Sequence, residues 1–324
     1  MKTAWVTRSM VVCAAFLFAC PAVLAEQYPA RPIRMVVPFA PGGISDLLAR
    51  AVAEKITGPL GQTVIVDNRA GAGGNIGTRI VAKAAADAYT LIFCSPAFAT
   101  NVSISADAGY DPVKDFAPVA QVASATNILV VAPQIGIRSL PQLIEASRKR
   151  PGEFNYGSGG AGTSGQLAAE LFQSASDVRM THVPYKGAGP ALTALLGNEV
   201  QLMFLPVVLA IPHLTSGRLV PLAVTGAQRY RATPNVPTIS EVSIPGFDVT
   251  SWFGILAPAA TPQLRVTLLN LNINRVLRLP ELAERMVAQG AEPEVKSPKE
   301  FGDYVQKEVE RWSRVIKTAG IKNR

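Results

Sequence analysis

At 324 residues, with 48% hydrophobic and 17% charged side chains, the chain is long enough for a sizeable core and too apolar to be disordered. Its formal charge of +8 is modest, and apart from Arg148-Lys149-Arg150 the basic residues are scattered. No run dense in Arg and Lys with interleaved aromatics occurs, which argues against nucleic acid as a partner.

Lys2 and Arg8 precede an apolar stretch over 10–24, which ends Val23-Leu24-Ala25 before Glu26. A basic start, a short apolar centre and small or aliphatic residues before a cut describe a secretory signal over 1–25. The mature chain is therefore expected to start near Glu26. Pro21 interrupts the stretch, which is shorter than the ~20 apolar residues of a membrane span. Leu17-Phe18-Ala19-Cys20 loosely resembles a lipoprotein processing site, but Phe18 fits it poorly. Cys13 and Cys20 fall in the signal, so Cys94 has no intrachain partner and reads as a small buried hydrophobe.

A short, mostly apolar run over 33–37 predicts a strand covered on both faces. It leads through Phe39-Ala40-Pro41-Gly42-Gly43 into a helix over 47–57. Ser45 reads as its N-cap, Asp46 sits in the first turn, and Leu48, Val52 and Ile56 form the buried face. Gly58-Pro59 is expected to stop the helix. Side chains are absent where backbone N–H groups converge on a helix start, and such a corner favours a carboxylate or phosphate.

A strand over 63–66, a glycine-rich stretch over 67–77 and a helix over 78–86 follow. Gly71 and Gly73 are followed by Ile76 where a dinucleotide fingerprint needs its third glycine, and no Gly-x-x-x-x-Gly-Lys-Ser/Thr occurs. Nucleotide binding is disfavoured. A strand over 89–94 delivers Ser95 and Ala97 to its carboxyl end, where ligands of open α/β sheets sit. The apolar run over 119–132 reads as a strand passing from one domain to another, with a helix over 140–149 beyond it.

The pattern then repeats. Phe154-Asn155-Tyr156-Gly157-Ser158 runs through Gly159, Gly160, Gly162 and Gly165 into a helix over 167–174, with Thr163 and Gln166 at capping-box spacing. Five glycines between 157 and 165 exceed what a turn requires, and read as a backbone that approaches a ligand closely. Strands over 178–183, 200–205, 219–225 and 252–257 alternate with helices starting at Pro190, over 207–215 and from Thr261-Pro262 to 277. A helix from Pro280 comes next. A long last helix follows the Ser297–Glu300 capping box, with Phe301, Val305, Val309, Trp312 and Ile316 on one face. This alternation argues for parallel sheets with crossover helices. There is no Gly-x-Ser-x-Gly elbow, no metal-ligand spacing around His182 or His213, and no paired cysteine and histidine, so neither catalysis nor a cofactor is expected.

Four stretches together resemble the Bug family, the periplasmic solute receptors of tripartite tricarboxylate transporters. They are Val36-Val37-Pro38-Phe39-Ala40-Pro41-Gly42-Gly43 with Asp46, Asn68-Arg69-Ala70-Gly71-Ala72-Gly73-Gly74, Tyr156-Gly157-Ser158 through Leu171-Phe172, and His182-Val183-Pro184-Tyr185-Lys186-Gly187. The resemblance covers essentially everything from Tyr28 onward. It implies an α/β, two-domain periplasmic binding protein fold of type II, with the ligand cleft between domains. Residues 26–126 and 227–324 would form the first domain, with the C-terminal helices, and 127–226 the second. It also implies a monomer without cofactor that captures a small organic carboxylate, often with bridging water, and presents it to membrane permease subunits.

Carried over residue by residue, the resemblance puts Phe39, Pro41, Gly42, Gly43 and Asp46 in one jaw. Tyr156, Gly157, Ser158, Gly160, Gly162, Thr163 and Ser164 would form the other, with Ser95 and Ala97 at the side and Leu205 facing the ligand. Gln166 stands where many members have His, and Ala86-Asp87-Ala88 replaces a Pro-Asp-Gly turn. Leu205 follows Phe204 where a number of members have an Asp able to pair with an ammonium. Its absence points to a mono- or dicarboxylate without positive charge. The alternative readings are a sensor feeding a signalling partner and an exported enzyme on the same fold.

Overall fold

The computed structural model describes residues 28–105, 107–160, 163–185 and 187–319. The expected signal, Cys13, Cys20, Gly162 and Lys186 lie outside them. Among the described residues the chain runs β1 (Ile33–Val37), α1 (Ile44–Leu60), β2 (Val64–Asn68), α2 (Asn75–Ala82), β3 (Thr90–Cys94), α3 (Ala97–Ile104) and β4 (Phe116–Val131). It continues with α4 (Leu140–Lys149), β5 (Asn155–Ser158), α5 (Ser164–Ser176), β6 (Thr181–Pro184), α6 (Ala188–Leu196), β7 (Leu202–Pro206), α7 (Val207–Thr215), β8 (Val220–Val224) and α8 (Ile239–Val242). It closes with β9 (Thr250–Pro258), α9 (Gln263–Leu277), α10 (Pro280–Ala288), β10 (Glu292–Pro293) and α11 (Pro298–Ala319).

The strands order as β2-β1-β3-β9-β4-β7-β5-β6, with β8 and β10 also paired to β4. The expected parallel pairing holds within β2-β1-β3 and within β7-β5-β6, whereas β9 and β4 pair antiparallel with their neighbours. The reason is the path. The chain leaves the first half of the sheet along β4 and returns along the adjacent β9, so the two must run in opposite senses.

Strand alternation buries both faces of each half. In the first half Met35, Phe93, Phe253 and Ile255 face α1, α9 and α10, while Val36, Cys94, Trp252 and Leu256 face the other way, with Phe301 of α11. A Cβ at Gly254 would collide with the Phe301 ring, so glycine there is what lets α11 sit close to β9. Cys94 is fully buried and its thiol donates to the Gly254 carbonyl, as a small core residue does. In the second half Leu129, Leu202 and Phe204 pack toward α5, and Ile128, Val130, Met203 and Leu205 toward α6 and α7.

Tyr230, Val236, Ile239, Phe247 and Val249 also pack into this second half. Helix α11 spans both halves, with Phe301 and Val305 in the first and Trp312 and Ile316 in the second.

The pairing fixes where the strands point. β1, β2 and β3 run in the same sense as β4, because β3 and β4 both flank β9 antiparallel. β5, β6 and β7 run against β4, from Val131↔Leu202 to Asn127↔Pro206. Both sets therefore end, at their carboxyl termini, toward the middle of β4 at Thr126 and Asn127.

One ion pair sets the loop after β1. Arg50 donates to both oxygens of Asp46 (3.1 and 3.0 Å), Gly42 N donates to one (2.9 Å), and Asn68 Nδ2 from the end of β2 donates to the other (2.9 Å). Burial alone would push the Asp46 carboxyl up, but these hydrogen bonds outweigh it and hold its pKa below the usual carboxylate value. A depressed folded pKa means stability that is in full force above about pH 4 and is lost as pH falls through the folded value. Asp46→Asn should cost about 1–3 kcal/mol at pH 7. Urea unfolding of both proteins checks this, and the gap between them should narrow as the pH is lowered below about 4.

Candidate functional site

The first corner lies where β1 meets α1. Gly43, in an extended conformation, is the N-cap of α1, and Ser45, expected there, is buried inside the first turn. The helix also runs past Gly58-Pro59 to end on left-handed Gly61. Pro41, Gly42 and Gly43 are exposed, Phe39 is half-buried, and Gly42 needs its glycine for a φ of +85°. The Gly42 N–H is spent on Asp46, whose lone pairs are in turn taken by Arg50 and Asn68. Donors that remain at this corner are the first-turn N–H groups of α1, which have no acceptor within the helix.

Neighbouring loops brace this corner. Asn68 Nδ2 donates to the Phe39 carbonyl (3.1 Å), and a Cβ at Gly74 would stand 3.4 Å from the Phe39 ring. Asn101 of α3 donates to Gly73 O (2.8 Å) and to Asn75 Oδ1 (2.9 Å), which ties the 71–75 turn to the helix after β3. Ser95 is buried, its carbonyl accepting from Phe98 N at the start of α3, and Ala97 is half-buried in the first turn of that helix.

The second corner lies where β5 meets α5. Thr163 is the N-cap residue, but its side chain accepts no cap hydrogen bond, so the expected capping box with Gln166 does not form; its hydroxyl donates to Gly160 O (2.8 Å). Ser158 is fully buried, and its Oγ accepts from Gly160 N (3.1 Å) and lies 2.6 Å from His182 Nε2. As at the first corner, one glycine N–H is consumed by a side chain. Ser164 opens α5 and is half-exposed. Tyr156 points elsewhere: it is fully buried, and its hydroxyl donates to Glu170 of α5 (2.6 Å).

Packing explains most of the glycines here. A Cβ at Gly165 would stand 2.5 Å from Phe204 O, at Gly159 3.1 Å from Ala188 N and at Gly157 3.2 Å from Val200. Gly160 has a φ of +116°. Close approach of α5 to β7 therefore demands glycine at 165 whether or not a ligand binds, and Gly157 and Gly159 stand in tight contact with Val200 and Ala188. Leu205 is fully buried on the α6 and α7 face of β7.

Strand direction turns both corners toward Thr126 and Asn127 of β4, where a buried polar cluster sits. Thr225 Oγ1 accepts from Asn127 N (3.1 Å) and donates to Val249 O (2.8 Å), and lies 3.3 Å from Thr126 Oγ1. The sequence reading assigned no role to Asn75, Asn101, Asn127 or Thr225. For Asn75 the signal was present, since a turn rich in glycine again precedes a helix; for the others it depends on pairing distant in sequence. Two surface hollows of about 550 and 400 Å³ lie away from both corners, beside α4 and between α5 and α11. Among the described residues no group of three or more His, Cys, Asp or Glu is placed to hold a metal ion, and no helix is long and apolar enough to cross a membrane.

Comparison with known proteins bears on this arrangement directly. Protein BugT of Bordetella pertussis is 38% identical over 322 residues, 98% of either chain. Rpa4515 of R. palustris, solved with adipate, is 39% identical and superposes with a TM-score of 0.77 over 91% of this chain and 99% of its own. MatC from Rhodopseudomonas palustris, solved with bound malate, is 32% identical with a TM-score of 0.74, covering 89% of this chain and all of its own. These likenesses carry the periplasmic binding protein fold across nearly the full length. Residues 48–321 match the family described as the tripartite tricarboxylate transporter family receptor, and with relatives of this similarity over almost all of its length, the chain belongs to that family.

Proposed function

We propose that the protein is a periplasmic receptor that holds a small organic carboxylate between the two corners and presents it to the permease of a tripartite tricarboxylate-type transporter. The observation that carries this reading is the strand pairing, which points the strands that lead into α1 and α5 from opposite sides at the same stretch of β4. The start of each helix carries partial positive charge, which favours an anion. Two such seats favour a dicarboxylate, with one carboxyl group at each. Adipate and malate in the related structures support the class.

Magnitudes require both seats. A hydrogen bond to a charged group contributes roughly 1.5–3 kcal/mol net, micromolar affinity corresponds to about −8 kcal/mol, and association costs at least ~4 kcal/mol. The two or three donors of one corner do not cover that sum; both corners together do. The ligand is therefore gripped when the two halves close on it. Residues 127–249 form the moving domain, and 28–126 with 250 onward the other. The residues expected to bind divide accordingly. Phe39, Pro41, Gly42, Gly43, Ser95 and Ala97 surround the α1 seat, and Ser158, Gly160, Thr163 and Ser164 the α5 seat. Asp46 acts as a brace of the first seat.

Among the described residues at the corners, Asp46 is the one acidic side chain, and its oxygens are already engaged, so no carboxylate is free to pair with an ammonium. Titration calorimetry with adipate, malate, aspartate and glutamate tests this: adipate or malate should bind at least tenfold tighter than either amino acid. Tightest binding of aspartate or glutamate contradicts the proposal. Gly43→Ala separates binding from folding. At φ −78° an alanine is unstrained, and its Cβ meets only Ala40 O at 3.8 Å, so stability should change by less than about 1 kcal/mol. The added methyl stands at the α1 seat, and calorimetry should show the affinity for adipate or malate falling at least tenfold.

A further inference from the structure

We propose that His182 is a positioning residue for the bound carboxylate: through Ser158 it sets the direction of a hydroxyl in the α5 seat, and its protonation tightens the hold on the anion. This rests on reading the second corner as a carboxylate seat.

His182 and Ser158 stand on adjacent parallel strands, with Tyr156 level with His182. The imidazole is held on two sides. Its Nε2 lies 2.6 Å from Ser158 Oγ, and its ring stacks on Tyr156 with centroids 4.8 Å apart and planes 17° apart. Tyr156 is in turn anchored by its bond to Glu170 (2.6 Å). Such a ring has one available orientation. The Ser158 oxygen already accepts the Gly160 N–H, so the free variable is the hydroxyl proton. It points at Nε2 when that nitrogen is an acceptor, or along the longer 3.3 Å line to Gly160 O.

An imidazolium donates from both nitrogens and accepts at neither. Protonation of His182 therefore turns the Ser158 proton off the ring, toward the Gly160 turn and any acceptor seated against it. It also adds a positive charge beside the seat. Both changes favour an anion. The ionisable groups that act on the ring are Glu170 from α5, which favours the charged form, and Tyr156 from β5, kept neutral by burial and by Glu170. Burial of the imidazole is the larger influence and holds its pKa below the ordinary value, so without ligand the ring is neutral at pH 7. By linkage, a carboxylate that gains from the charged ring must raise the pKa of that ring by the same free energy.

Calorimetry with adipate and with malate at pH 8.0 and pH 6.0, on the wild-type chain and on His182→Gln, tests this. Titration of the ligand itself is common to both proteins, so the comparison is between them. The wild type should bind at least threefold tighter at pH 6.0, and His182→Gln should lose that gain. NMR titration of the wild-type imidazole signals should give a higher pKa for His182 with adipate or malate bound than without. This readout holds even if the variant folds poorly. A pH gain retained in His182→Gln, or an unmoved His182 pKa, overturns the proposal. Failure of both acids to bind at either pH overturns the carboxylate seat itself, and this inference with it.

Discussion

The antiparallel pairing of β4 with β9 and with β7 is the constraint on which the rest depends. A chain that crosses into a second half along one long strand and returns along its neighbour leaves two parallel sets of strands pointing at each other. Each set ends, as open α/β sheets do, in loops that start helices. The two loop clusters thus face the same stretch of β4 by topology alone. Helix α11 adds a third tie, because its two ends lie in the cores of different halves.

Chemistry at the corners is simpler than their glycine content implies. In each, one glycine N–H is occupied by a side chain of the protein, Gly42 by Asp46 and Gly160 by Ser158. These bonds shape the turns and leave the helix starts as the donors. Asp46 carries a charge that repels an anion, but Arg50 brackets both of its oxygens, so the pair presents little net charge. The Asp46 carboxylate spends its acceptors on holding Gly42 and the end of β2.

Much of this was legible in the sequence because it is local. The span of β1 follows from a short β-branched run, α4 from its proline and its basic end, and the Ser297–Glu300 box from side chains three residues apart, whose bonds are formed. What the sequence hid was long-range. Glycine looks the same whether it makes room for a ligand or for Phe204 O, and only the packing of α5 on β7 tells which applies at Gly165. Leu205 alternates with Phe204, but which face opens to the cleft is decided by α6 and α7, far along the chain. Thr163 has capping-box spacing, yet its side chain makes no cap bond and its hydroxyl donates to the Gly160 carbonyl instead.

The central claim is that a single carboxylate ligand touches both corners at once. Hydrogen–deuterium exchange, followed by mass spectrometry with and without saturating adipate, addresses it most directly. Slowed exchange of peptides over both 41–48 and 158–167, with the outer edge strand β2 unchanged, is the result this account predicts. Protection confined to one corner, or found instead at the hollow beside α4, would contradict it.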